Sequence, residues 1–194
     1  MDSWENLKKE CALCSRCPLG ETRTKLVFGT GVESASILFV GEGPGEQEDL
    51  QGEPFVGPAG NLLDDMLEII DLSRKTNVYI ANIVKCRPPK NRDPKPEEAA
   101  ACREWLQRQI DLVQPKLIVC LGRIAATHLI RDDFRITREH GQWFDVSGIP
   151  CTAIYHPSAL LRDESKRPET FVDLIAIRSK IRELCPEVYS GSAL

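Results

Sequence analysis

The chain has 194 residues, of which 42% are hydrophobic and 28% charged, and its formal net charge is −4 at pH 7. This length suits one well-buried domain and is short for two, so we expect residues 1–194 to form a single domain. No apolar run approaches the roughly 20 residues that span a bilayer. The N-terminal MDSWENLKKEC also lacks the apolar core of a signal peptide, and we therefore expect a cytoplasmic protein without a membrane partner.

Short apolar segments alternate with helical patterns along the chain. Four segments rich in Val, Ile or Leu are typical of strands buried on both faces, and they cover 37–40, 78–84, 117–121 and 151–155. Helical periodicity is found at 61–72, with Asn61 as its N-cap, and at 96–113, 123–130 and 171–184. This order predicts a three-layer α/β/α fold with a central four-stranded parallel sheet. Ligands bind beyond the carboxyl ends of such strands, so we expect the functional residues there.

A glycine-rich turn, GEGPGE, follows the first predicted strand. Gly41 and Gly43 fit a dinucleotide fingerprint, but Glu46 occupies the third glycine position and Pro44 removes a backbone N–H. The turn could serve backbone geometry alone. Glu42, however, stands directly at the strand end. A carboxylate there suits a reaction that develops positive charge or needs a positioned water, and cleavage of a glycosidic bond does both.

The second predicted strand runs into a basic segment. The net negative charge argues mildly against a nucleic-acid partner, but local charge can overrule it. One acidic residue, Asp93, stands in this segment among five basic ones: Lys85, Arg87, Lys90, Arg92 and Lys95. A solvated loop and a phosphate contact are both compatible with this pattern.

Eight cysteines are many for a chain expected in a reducing compartment, and they indicate a metal or cluster site rather than disulfides. The run C-x-x-C-x-x-C-P at 11–18 is similar to part of a ferredoxin motif. A single thiol downstream would complete a site, and both Cys86 and Cys102 are suitably placed. Zinc is the rival metal, since four thiolates also form structural zinc sites.

Four segments together resemble the family-four uracil-DNA glycosylases, which carry an iron–sulfur cluster. They are GEGPGEQED at 41–49, FVGPAG at 55–60, NIVKCRPPKNRDPKPEE at 82–98 and HPSALLR at 156–162. The resemblance extends from about residue 14 to residue 184. It implies a monomeric repair enzyme that flips uracil out of single- or double-stranded DNA and hydrolyses its N-glycosidic bond, leaving an abasic site.

The resemblance also implies catalytic roles. Glu42 would position water or stabilise the sugar cation, and His156 would stabilise negative charge on the departing base. Gly43 and Gly45 stand where better-known uracil glycosylases have the aspartate that positions water and the tyrosine that excludes thymine. Glu48 is therefore a further catalytic candidate for either task. No lysine in these motifs is placed as an amine nucleophile, which predicts a monofunctional hydrolysis.

Other residues would bind the base and the DNA. The resemblance places Gly43 at the base, stacks Phe55 on the flipped uracil and lets the Asn82 amide read its edge. An amide in a fixed orientation satisfies the donor and acceptor pattern of uracil or that of cytosine, but not both. A core position for Phe55 and a strand-tying role for Asn82 are the structural alternatives. The candidate DNA contacts are Arg87, Ser158, Leu160 and Arg162. Leu160 would wedge into the gap left by the flipped base, and a buried loop leucine is its structural alternative.

The cysteine alternatives narrow once the resemblance is used. It implies that a 4Fe–4S cluster is held by Cys14, Cys17, Cys86 and Cys102, tying the segment at 11–18 to the rest of the domain. Cys11 is then a spare or a fifth thiol nearby. An iron–sulfur electron carrier and a zinc-stabilised, non-catalytic DNA-binding protein are the alternative functions. A repair enzyme would be associated with the nucleoid.

Overall fold

The computed structural model describes residues 3–190. Its centre is one six-stranded sheet with the order β1-β3-β2-β4-β6-β5. Strands β2, β3, β4 and β6 are parallel, while β1 and β5 add antiparallel pairs at the two edges. The strands are β1 Thr30–Gly31, β2 Ile37–Gly41, β3 Val78–Asn82, β4 Leu117–Leu121, β5 Trp143–Val146 and β6 Ile149–Ile154.

The four-stranded parallel sheet predicted from the sequence is thus the middle of a larger mixed sheet. Each predicted strand is present, and the residues of β2, β3 and β4 are all buried. The edge strands were not predicted because β1 is only two residues long and β5 is half-exposed. Antiparallel edge strands on an otherwise parallel sheet are common in folds of this kind.

Nine α-helices connect and cover the strands within residues 3–190. They are α1 Trp4–Ala12, α2 Leu19–Thr22, α3 Glu46–Gln51, α4 Pro58–Ile69, α5 Pro96–Val113, α6 Arg123–Leu129, α7 Ile136–Glu139, α8 Pro157–Arg162 and α9 Arg167–Leu184. Helices α5 and α6 begin where the sequence predicted. The predicted N-cap at Asn61 is wrong, since α4 begins at Pro58 after the N-cap Gly57. Proline is favoured at the first helical position, where its missing N–H costs nothing.

Helices pack on both faces of the sheet. Alternate residues of each strand point to opposite faces, so Leu38 belongs to one core cluster and Phe39 to the other. The first cluster includes residues of α1, α5 and α6, and the second includes residues of α4, α8 and α9. The described part of the chain contains no helix that is both long and apolar enough to span a membrane.

Candidate active site

A cleft of about 640 Å³ opens at the carboxyl ends of the parallel strands. This volume lies within the range of small-molecule sites, and the position is the usual one for a ligand in an open parallel sheet. Eight of the ten residues that the sequence indicated for catalysis, base binding or DNA contact line the cleft; they are Glu42, Gly43, Glu48, Phe55, Asn82, His156, Ser158 and Arg162. The other two, Arg87 and Leu160, do not.

Gly41, which ends β2, and Gly43, in the turn after it, make room for neighbouring side chains. A Cβ on Gly41 would lie 2.5 Å from Asn82 Oδ1 and 2.7 Å from Phe55 Cζ. A Cβ on Gly43 would lie 2.6 Å from a methyl carbon of Val84. The glycines are therefore explained by close packing at the floor of the cleft, and no phosphate cradle is needed to account for them.

The amide of Asn82 has an unused acceptor. Asn82 ends β3 and is only 2% exposed, and its Oδ1 has no hydrogen-bond partner among the described residues. A buried polar atom without a partner costs about 1–3 kcal/mol. Because the residue lines the cleft, a ligand N–H in the cleft would satisfy this oxygen.

Phe55 forms an aromatic wall next to this amide. It is 7% exposed, and its ring centroid lies 5.6 Å from that of His156, with an interplanar angle of 32°. Its backbone has φ 54°, a left-handed conformation that is uncommon for a residue other than glycine. Such conformations cluster at functional sites, where the surroundings hold them in place.

The imidazole of His156 is held as a neutral donor. His156 is the N-cap of α8, and its Nδ1 accepts a hydrogen bond from the backbone N–H of Ser158 at 3.1 Å. Ser158 Oγ lies 2.7 Å from the same nitrogen. Since a backbone N–H can only donate, Nδ1 carries no proton and the neutral ring is protonated at Nε2. Burial, assisted by the positive charge of Arg162, lowers the pKa of His156 to about 4.

Glu42 is a carboxylate with an elevated pKa. Burial raises the pKa of this side chain to about 7, and the nearby negative charge of Asp93 adds to the shift. Arg123 and Arg162 oppose it. A carboxyl group that changes charge near neutral pH in a cleft has the properties of a catalytic group.

Glu48 is engaged with the backbone of two loops. Its Oε2 accepts from the N–H of Gly45 at 3.1 Å, and its Oε1 accepts from the N–H groups of Val56 and Gly57 at 3.1 and 3.3 Å. These bonds join the turn after β2 to the loop that carries Phe55. Loop positioning is therefore the one task of Glu48 that the hydrogen bonds document.

Basic side chains surround the mouth of the cleft. Besides Arg162, the lining includes Arg92, Arg123 and Lys166. Arg123 forms an ion pair with Asp93 at 2.7 Å, across from α6 to the basic segment. Arg92 and Lys166 were not predicted as cleft residues. The sequence of a charged surface segment does not show which way each basic side chain points.

Two of the predicted DNA contacts lie elsewhere. Leu160 is 1% exposed and packs in the core beneath α8, so it cannot reach DNA unless the helix moves. Its neighbour Leu161 is 43% exposed. Arg87 donates from Nε to Asn91 Oδ1 at 2.8 Å and lies 3.8 Å from Glu46, outside the cleft lining.

A second, smaller cavity brings together the four predicted ligands Cys14, Cys17, Cys86 and Cys102. Arg16, Arg23, Lys85 and Trp105 complete its charged and aromatic lining. Cys11 does not line this cavity and is fully buried in the neighbouring core. Within residues 3–190, no three His, Cys, Asp or Glu side chains are close enough together to hold a single metal ion.

The sulfur atoms around this cavity accept hydrogen bonds. Trp105 Nε1 donates to Cys14 Sγ at 3.2 Å, an Arg23 guanidinium nitrogen donates to Cys86 Sγ at 3.3 Å, and the backbone N–H of Lys85 donates to Cys102 Sγ at 3.3 Å. Lys85 Nζ is buried and donates to two neutral oxygens, the backbone carbonyl of Asn82 and Gln109 Oε1. Donors and a buried cation around four cysteines suit thiolates that carry negative charge, as the thiolate ligands of iron–sulfur clusters do.

Comparison with known proteins shows the family of this chain. The family model of the Uracil DNA glycosylase superfamily matches residues 28–177. The chain belongs to the uracil-DNA glycosylase superfamily. It is 45% identical over 193 residues to a type-4 uracil-DNA glycosylase of Archaeoglobus fulgidus, covering 95% of this chain and 94% of that one.

Two further type-4 uracil-DNA glycosylases are similarly related. The enzyme of Sulfurisphaera tokodaii is 44% identical over 95% of this chain and 86% of its own length. That of Thermotoga maritima is 45% identical over 83% of this chain and 82% of its own length. The family predicted from the sequence is confirmed, and with it the class of enzyme, a hydrolase of N-glycosidic bonds.

Proposed function

We propose that the cleft receives a uracil flipped out of DNA and hydrolyses its N-glycosidic bond, releasing free uracil and leaving an abasic site. The observation that carries this proposal is the buried, unpaired amide oxygen of Asn82 beside the ring of Phe55. A base that enters the cleft offers an aromatic face to Phe55 and an N–H to Asn82 Oδ1. Stacking on such a ring contributes roughly 1–3 kcal/mol, which offsets part of the cost of unstacking the base.

Asn82 determines the specificity for uracil over cytosine. Uracil presents N3–H as a donor and O4 as an acceptor, which match the Oδ1 and Nδ2 of one fixed amide. Cytosine presents the opposite pattern and would leave buried groups unpaired. Glu48 also lines the cleft, and we keep it as the residue that excludes the methyl group of thymine.

His156 and Glu42 supply the charge stabilisation. The neutral imidazole donates from Nε2 to O2 of uracil as the base leaves as an anion. Glu42, when ionised, stabilises the oxocarbenium-like sugar or positions the attacking water. Because no amine nucleophile takes part, the product is an abasic site without strand cleavage.

The DNA backbone is held at the mouth of the cleft. Ser158 and Arg162 on α8 contact phosphates, and Arg87 contributes charge from the basic segment. Leu161 is the exposed leucine of α8, so we transfer the wedging role from Leu160 to Leu161, since apolar side chains fill the gap left by a flipped base. The partner is uracil-containing DNA, in single- or double-stranded form, and we propose a monomeric enzyme associated with the nucleoid.

The second cavity suits a 4Fe–4S cluster. Cys14, Cys17, Cys86 and Cys102 would hold it, and hydrogen bonds to three of their sulfur atoms suit thiolate ligands. A bound cluster would cross-link three parts of the chain: the N-terminal segment with Cys14 and Cys17, the segment after β3 with Cys86, and α5 with Cys102. A function as an electron carrier would not explain the residues of the cleft. We therefore propose that the cluster has a structural role.

The proposed base recognition is tested with Asn82→Ala. Loss of the amide should lower the rate of uracil excision by about 10–100-fold, since one buried hydrogen-bonding group contributes about 1–3 kcal/mol. Inhibition by free uracil should weaken by a similar factor, whereas affinity for abasic-site DNA should change little. Excision and product inhibition equal to wild type would contradict the assignment of Asn82.

A further inference from the structure

The loop that carries Phe55 is held in an unfavourable conformation. Phe55 has φ 54°, and the loop packs against α4 so closely that a Cβ on Gly60 would lie 2.0 Å from the Phe55 carbonyl oxygen. A residue in this conformation persists only when its surroundings determine it. Contacts to the backbone around Phe55 therefore decide where its ring stands in the cleft.

Hydrogen bonds hold the backbone of this loop from two sides. On one side, Glu48 accepts from the N–H groups of Val56 and Gly57. On the other side, Arg74 donates to the carbonyl oxygens of Pro54 and Phe55, at 2.8 and 3.0 Å. The carbonyl and amide groups flanking the ring are thus both fixed by charged side chains.

Arg74 is itself fixed in place. Its Nε donates to Asp64 Oδ1 on α4 at 2.8 Å, and its side chain is only 15% exposed. Three donors of one planar guanidinium therefore reach three oxygens. A lysine ammonium at the end of a flexible stem cannot reproduce this fixed fork. Arg74 does not line the cleft, and its hydrogen bonds within residues 3–190 go to Asp64 and to the carbonyl oxygens of residues 54 and 55.

We propose that Arg74 is a positioning residue for uracil excision, which sets the stacking face of Phe55 by holding the carbonyl groups of residues 54 and 55. The inference rests on the stacking role proposed above for Phe55. Without the two carbonyl bonds, the loop relaxes toward an ordinary backbone conformation and the ring leaves the base. The phosphate contacts on α8 are untouched by this change.

The test compares Arg74→Lys with Asp64→Asn. The lysine keeps the charge but loses the paired carbonyl bonds, whereas the asparagine keeps an acceptor for Nε and leaves both carbonyl bonds intact. We expect Arg74→Lys to lower the single-turnover excision rate by about 10–100-fold, the range expected when a reacting group is displaced by about 1 Å. Inhibition by free uracil should weaken in parallel. The Kd for abasic-site DNA should stay within about twofold, and Asp64→Asn should behave as wild type.

Phe55→Leu separates this inference from the proposed function. If Phe55→Leu is impaired and Arg74→Lys excises uracil at the wild-type rate, the positioning role is overturned and the stacking role stands. If Phe55→Leu is as active as wild type, both roles are overturned. Equal losses of excision and of abasic-site binding in Arg74→Lys, at a temperature below its measured Tm, would indicate general damage to the fold and would also overturn the inference.

Discussion

At the scale of single residues, the two side chains proposed for catalysis have pKa values shifted in opposite directions. Burial raises the pKa of Glu42 to about 7 and lowers that of His156 to about 4. One group is thus an acid that ionises near neutral pH, and the other is an imidazole that stays neutral there. Active sites commonly shift the pKa values of two groups in opposite directions, so that each group has the protonation state its role requires.

Replacing Glu42 by Gln should slow cleavage far more than it weakens DNA binding. The loss of the carboxylate should lower the excision rate by about 10²–10⁴-fold. In the wild type, log(kcat/KM) should fall with unit slope below a pH of about 7, and Glu42→Gln should lack this limb. A steady-state pH profile measures both effects, and equal losses of cleavage and of binding would contradict the role of Glu42.

The same substitution should stabilise the protein. The folded-state pKa of Glu42 is raised above the usual 4.5, so the folded state favours the protonated acid and the wild type loses stability as pH rises from about 4.5 to about 7. The Tm of Glu42→Gln should therefore match that of wild type at pH 4 and exceed it at pH 8. Calorimetry at both pH values measures the difference. A lower Tm for the variant at pH 8 would show that burial does not destabilise the ionised carboxylate.

At the scale of secondary-structure elements, the sequence predicted the middle of the fold and missed its edges. The buried parallel strands are continuous apolar runs, which periodicity recognises. A two-residue strand such as Thr30–Gly31 carries no pattern, and Trp143–Val146 alternates too weakly to stand out. The positioning role of Arg74 could not have been predicted either, because it depends on bonds to the backbone carbonyls of residues 54 and 55, which any sequence would supply.

The direction of a side chain was harder to predict than its element. Motif order placed Ser158, Leu160 and Arg162 together, and the structure does put all three on α8. The helical phase then turns Leu160 into the core and Leu161 outward. For Glu48, the sequence showed a carboxylate near the site, but only the coordinates show three backbone N–H groups donating to it.

Removing one proposed cluster ligand should remove the cluster and loosen the elements it joins. In Cys86→Ala, iron and acid-labile sulfide should both be lost, while zinc should be absent from both proteins. If about 3 kcal/mol of stability is lost, the Tm should fall by roughly 6–12 °C. Cys185→Ala, at a buried thiol outside the cavity, is the control and should keep its iron. Stoichiometric zinc in the wild type would contradict the cluster.

At the scale of the whole molecule, the net charge is −4 and the cleft carries both signs of charge. Its lining includes four basic residues, Arg92, Arg123, Arg162 and Lys166, and four carboxylates, Glu42, Glu46, Glu48 and Asp93. In the proposed complex, the carboxylates of the turn after β2 face the neutral base and the sugar that becomes cationic. The phosphates would contact the basic side chains, so the acidic turn would not oppose DNA binding.

Salt dependence should report this arrangement. Arg162→Ala should reduce the slope of log K against log[salt] by about one, because one phosphate contact and its released counterion are lost. Arg103→Ala, on the exposed side of α5 away from the cleft, should leave the slope unchanged. Binding titrations with abasic-site DNA at several salt concentrations measure both. Equal slopes for Arg162→Ala and the wild type would remove Arg162 from the DNA interface.

The most direct test of the whole account is excision from a labelled oligonucleotide that contains one uracil, using protein purified without oxygen. We expect strand scission at the uracil only after alkali treatment, with no scission when thymine or cytosine occupies that position and no adduct trapped by borohydride. That result would establish monofunctional uracil excision. A strand that stays intact even after alkali treatment, following incubation with folded, iron-containing protein, would contradict it, and so would scission before alkali with a trapped adduct.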